Sequence, residues 1–135
     1  MRLLSFSTIT WIAFAAAQLL VHTQQGDVLG TLAGLTVRQF LGIPYATADR
    51  WTAPELPPRR ATPFLADRFG DSCIQMNSPA NVEFLELTGS VIGNVTESED
   101  CLSINIWAPS IFRKQKTAVM VWIYGGGFEF GTVSI

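Results

Sequence analysis

Residues 118 to 131 read AVMVWIYGGGFEFG, and the fold turns on how this stretch is read. From Ala118 to Tyr124 seven residues in a row are apolar. The run is too short for a stable helix and rich in β-formers, so it predicts a strand covered on both faces, the habit of a parallel sheet core. Gly125, Gly126 and Gly127 follow at once. Each glycine in ordered structure costs roughly 0.5–1 kcal/mol relative to alanine, so three in a row need a reason.

Two reasons suit the residues. A loop of bare backbone brings N–H groups up to a developing negative charge, as in the oxyanion loop of lipases and esterases. A tight turn after a strand also asks for glycine. A nucleotide loop fits worse: the dinucleotide pattern counted from Gly125 requires glycine where Phe130 stands, and no Gly-Lys-Ser/Thr follows.

Working outward, the chain has 135 residues, 48% of them hydrophobic, with a net charge of −2 and a pI near 5.2. That balance offers no electrostatic attraction for nucleic acid. Met1 to Ala17 carries one basic residue, Arg2, then an apolar run ending in Ala15-Ala16-Ala17, the pattern of a secretory signal peptide cut after Ala17, with a cut after Thr23 as second choice. A membrane anchor is the competing reading, but Ser5, Ser7, Thr8 and Thr10 dilute the run and Gln18 limits it. Removing 17 of the 135 residues leaves 118, enough for one small secreted domain over 18–135.

Gly26 to Leu41 holds two β-prone runs hinged near Gly34, which predicts a hairpin. Pro44 holds Ile43 extended and cannot donate to a ladder, so the chain bends there. Trp51 to Pro63, with four prolines, predicts an extended surface crossing. Cys73 and Cys101 lie in a chain bound for an oxidising compartment, so a disulfide is the default for both. Asn94-Val95-Thr96 between them is a glycosylation sequon. Asn81 to Thr88 predicts about two helical turns with Val82, Leu85 and Phe84 on one side, a pattern that a lid and a plain surface helix share.

Ser98 to Pro109 alternates Leu102, Ile104 and Ile106 against Ser103, Asn105 and Trp107, a strand closed by proline. The block Glu99-Asp100-Cys101-Leu102, then Ile104-Asn105-Ile106-Trp107 and Pro109, resembles a signature of the type B carboxylesterase/lipase family, which includes cholinesterases and fungal lipases. Ser103 stands where members usually carry tyrosine or threonine. Four further blocks resemble the same family in its order: Phe40 to Ala46, Arg50-Trp51 with Pro54, Phe69-Gly70 leading into Cys73, and Val121 to Phe128.

The resemblance implies an α/β fold of which this chain is the N-terminal part, the hairpin and first strands of the central sheet. It implies that Gly126 and Gly127 supply two oxyanion-hole N–H groups with Gly125 as the permissive residue before them. It also implies a Cys73–Cys101 disulfide and a structural ion pair of Arg50 with Glu99. If buried, the pair serves specificity more than stability, because desolvation offsets much of the attraction; Arg50→Ala is nevertheless expected to be harmful, since it would strand the Glu99 charge. The family's reaction is hydrolysis of a small-molecule or lipid carboxylic ester by a serine, a histidine and an acid, with neither cofactor nor metal.

Those three catalytic groups are not found in the 135 residues. Gly70 to Ile74 begins like a nucleophile elbow, but Ile74 replaces the final glycine and Cys73 is committed to the disulfide. The single histidine, His22, sits beside the expected cleavage site and reads as part of a solvated terminus. The chain is therefore expected to be an incomplete domain, inactive by itself and poorly folded alone. The Cys73–Cys101 loop has Phe84 but no tryptophan or tyrosine to bind a quaternary ammonium, which weighs against a cholinesterase specificity. The resemblance to lipases and carboxylesterases implies that this loop is a flap whose Phe84, Leu85 and Leu87 either make transient contact with a lipid interface or pack on the body. A non-catalytic secreted or cell-surface binding member of the same fold family is the alternative.

Overall fold

A computed structural model of the chain describes residues 19–76, 78–87 and 96–132. The signal segment Met1 to Ala17 and the sequon residue Asn94 lie outside the described residues. The strands are β1 (Leu20–Thr23), β2 (Gly26–Leu29), β3 (Thr31–Ala33), β4 (Val37–Pro44), β5 (Phe64–Leu65) and β6 (Ser72–Cys73). One helix, α1 (Pro79–Leu87), follows, and then β7 (Glu97–Ser98) and β8 (Ser103–Pro109).

Small residues set the turns of the N-terminal region. Gly26 (φ +109°) lets β1 turn directly into antiparallel β2, and Gly34 (φ +71°) closes β3 onto β4 where the hairpin was expected. The β1–β2 turn is reinforced by the Thr23 hydroxyl, which donates to the Gly26 carbonyl at 2.6 Å. A signal cut after Thr23 would remove β1, whereas a cut after Ala17 leaves the β1–β2 ladder whole.

Two three-stranded sheets result, in the orders β1-β2-β5 and β3-β4-β8. Ala66 stitches them: its N–H donates to the Leu29 carbonyl at 2.8 Å and its carbonyl accepts from Leu41 N–H at 3.0 Å. Ala66 is fully buried with Val28 and Phe40, and Ile43 and Phe64 pack against these three. Gly30 permits this closeness, because a Cβ there would collide with the Phe40 ring and the Gln39 carbonyl.

β4 pairs with β8 in two stretches separated by a bulge between Phe40 and Ile43. Gly42 sits in it at φ +65°, and a Cβ there would come within 2.6 Å of the Arg68 carbonyl. A bulge next to Pro44 explains how a long strand can run into a proline: the ladder ends with Pro44 opposite Ser103. On β8 the apolar Ile104 and Ile106 stay exposed while Asn105 is partly buried, so the hydrophobic side of the alternation faces outward.

The strand expected over Ala118 to Tyr124 is not formed. Among the described residues nothing pairs with it, and Met120, Trp122 and Ile123 are 94%, 83% and 82% exposed. An all-apolar run becomes a strand only when neighbours take its ladder hydrogen bonds and cover both faces, and the described residues supply none. The helix lies close to its expected place, starting two residues earlier with Pro79 in the first turn, where a missing N–H costs nothing.

Candidate functional site

The glycine loop is a tight reversal. The Gly126 carbonyl accepts from Glu129 N–H at 3.1 Å and from Phe130 N–H at 3.2 Å. Gly126 adopts φ +132° and Gly127 φ +63°, and Phe128 follows in the same left-handed region at φ +65°. At Gly126 a Cβ would collide with the Phe130 carbonyl, so this position tolerates only glycine; at Gly125 and Gly127 the space is open. With the carbonyl of Gly126 turned into the reversal, the amides of Gly125, Gly126 and Gly127 have no acceptor among the described residues. Unpaired backbone donors beside open space are what an anionic oxygen needs.

The far end of the loop is anchored by Gln75, which nothing in the sequence marks, and by Ser72, which the sequence marks only as the serine of an incomplete elbow. Gly131 N–H donates to Gln75 Oε1 at 2.6 Å, and the Ser72 and Thr132 hydroxyls share a hydrogen bond. Ser72 is a buried polar residue at 3% exposure. These partners are 56 and 60 positions apart in the chain, so no local pattern announces them.

Cys73 and Cys101 form a disulfide, with Cα atoms 4.9 Å apart. It sits at the β6–β7 pair and encloses α1. Arg50 Nε lies 2.9 Å from Glu99 Oε1, with both side chains more than half exposed at 56% and 54%, and the Arg50 guanidinium also covers the Trp51 ring at 5.5 Å. The groove beside this pair is lined by Thr47, Asp49, Glu55, Glu99 and Asp100 among others, with no histidine or serine to start an acyl transfer. His22 belongs to β1, not to a loose terminus, and its Nδ1 meets Asp27 Oδ1 at 2.7 Å on the surface. The Asp67 carboxyl is held below the usual carboxylate range, chiefly by the hydrogen bond from Arg68. That pair is solvent-exposed and serves no chemistry of the loop.

Residues 17–135 match the model of the carboxylesterase family. The chain belongs to the carboxylesterase family. It is 36% identical to an acetylcholinesterase of Danio rerio, over 98% of this chain and 22% of that protein. It is 38% identical to a cholinesterase of Mus musculus over 86% and 20%, and 38% identical to a fumonisin B1 esterase of Sphingopyxis macrogoltabida over 87% and 21%. Among solved structures it resembles a PNB esterase at a TM-score of 0.69 and 36% identity, covering 84% of this chain and 22% of that one. The chain thus spans about a fifth of the length of the relatives it matches, and its fold is the N-terminal part of an α/β-hydrolase.

Proposed function

We propose that the complete protein carrying this carboxylesterase segment is a serine ester hydrolase, and that residues 125–127 form its oxyanion loop. The carrying observation is the pair of positive-φ glycines, Gly126 and Gly127, whose N–H groups have no acceptor among the described residues. When a serine alkoxide attacks an ester carbonyl, negative charge gathers on the carbonyl oxygen, and a preorganised donor there lowers the barrier. Loss of one such donor costs about 2.7–4 kcal/mol.

The substrate class is a small-molecule or lipid carboxylic ester, the reaction class named by relatives such as the fumonisin B1 esterase. On this reading the nucleophile, acid and histidine are not supplied by residues 18–135, and those residues expressed alone should turn over no ester. Secretion through a signal peptide ending at Ala17, with glycan on Asn94, completes the reading; the unpaired cysteine count of zero among the described residues supports an oxidising destination.

The test is turnover of a p-nitrophenyl ester series by the full-length secreted protein, together with labelling by a serine-directed fluorophosphonate. Hydrolysis with stoichiometric labelling is expected. A folded full-length protein that does neither defeats the hydrolase reading and favours the non-catalytic binding member.

A further inference from the structure

We propose that Gln75 is a positioning residue for the glycine loop, holding Gly131 so that the Gly126 and Gly127 amides keep the orientation an oxyanion requires. The proposal rests on the oxyanion reading above and adds to it a residue that acts through the Gly131 backbone.

The short segment Ser72 to Gln75 is fixed from one side and grips from the other. Ser72 N–H donates to the Thr96 carbonyl at 2.9 Å, and Cys73 is bonded to Cys101, two residues ahead of β8. These ties fasten the segment to the sheet. Facing the loop, the Ser72 hydroxyl holds Thr132 and Gln75 Oε1 accepts from Gly131 N–H at 2.6 Å. A side-chain amide oxygen reaching a backbone N–H in a partly buried place is a directional contact, and it has no close substitute if the side chain becomes apolar.

Gly131 passes that constraint on. It adopts φ +148°, and a Cβ there would collide with the Tyr124 ring and lie 2.6 Å from the Gly125 carbonyl. Gly131 therefore packs directly against the residues that enter the glycine run. Among the described residues, the backbone bonds within the reversal are the two to the Gly126 carbonyl. With Gln75 in place, the loop is closed at Gly126 and pinned at Gly131. Without it, the directional hold on the Gly131 N–H is lost. A catalytic amide displaced by about 1 Å can cost on the order of a hundredfold in rate, so a distant pin has leverage.

The experiment compares wild type, Q75L and Q75E in the full-length secreted protein. Leucine removes the acceptor at similar size, and glutamate keeps an acceptor oxygen. For Q75L we expect kcat on p-nitrophenyl butyrate to fall at least tenfold with KM within twofold, and inhibition by a trifluoromethyl ketone to weaken in the same proportion. Amide exchange over residues 125–132 should quicken while that over residues 20–44 stays unchanged, and Q75E should restore all of these. Wild-type kcat and wild-type loop exchange in Q75L would overturn the proposal. Should the wild-type protein turn over no ester, the hydrolase reading fails, and loop exchange in Q75L still decides the role of Gln75. If Q75L is not secreted, Q75M carries the same comparison.

Discussion

The Asn105 side chain accepts the Gly42 N–H through Oδ1 at 2.8 Å, filling the gap that the bulge opens between β4 and β8. Asn105→Ala leaves that partly buried donor unpaired and should destabilise the folded protein by about 1–3 kcal/mol. Chemical denaturation of the full-length protein measures it, and an unchanged midpoint would show that water replaces the side chain without cost.

The three glycines of the loop should not be equivalent. Gly126→Ala forces a Cβ onto the Phe130 carbonyl, Gly127→Ala meets open space but a left-handed backbone, and Gly125→Ala meets neither obstacle. In the full-length enzyme Gly126→Ala should lower kcat by roughly 10²–10³, the scale of a lost oxyanion donor, with Gly127→Ala intermediate and Gly125→Ala mild. A flat series across the three would contradict the geometry.

Breaking the disulfide releases a sequence separation of 28 residues. The chain-entropy model assigns such a closure about 3–4 kcal/mol. Cys73→Ser with Cys101→Ser should therefore lower the thermal midpoint of the secreted protein markedly. Because Cys73 lies two residues from Gln75, the double variant should also show faster amide exchange over residues 125–132.

Arg50→Ala should be mild. The premise of a buried pair fails, since Arg50 and Glu99 are each more than half exposed, and solvent screens both the attraction and the charge that removal would strand. Exposed pairs of this kind contribute about 0.2–1 kcal/mol. A thermal melt that falls by much more would mean that the pair is covered in the complete protein.

Residues 18–135 expressed alone should associate or bind a hydrophobic dye. Val119, Met120, Trp122 and Ile123 are all more than four-fifths exposed, and Ile104 and Ile106 lie open on β8. Apolar surface of that continuity is covered in stable monomers. A monomeric, cooperatively melting fragment would refute this expectation.

What was readable from sequence was local or carried by family motifs. The β3–β4 hairpin followed from two β-prone runs around Gly34, α1 from a short polar-apolar stretch, and β8 from alternation ending at Pro109. β1 was missed because Leu20 to Thr23 lies against the expected cleavage site, and only its pairing with β2 marks it as a strand. Gln75 was missed for a stronger reason: its partner is 56 residues away, and nothing local distinguishes it from any surface glutamine.

The amino-acid sequence by itself determined the family, the order of its motifs and the glycine run, because those depend on residue identity and spacing. Only the tertiary structure decided three other matters: that Ala118 to Tyr124 lies bare, that Arg50 and Glu99 meet in solvent, and that Gln75 holds Gly131. Each depends on which distant segment arrives beside it. A strand needs neighbours to take its hydrogen bonds, a charge pair takes its strength from what covers it, and a loop takes its shape from what it is tied to.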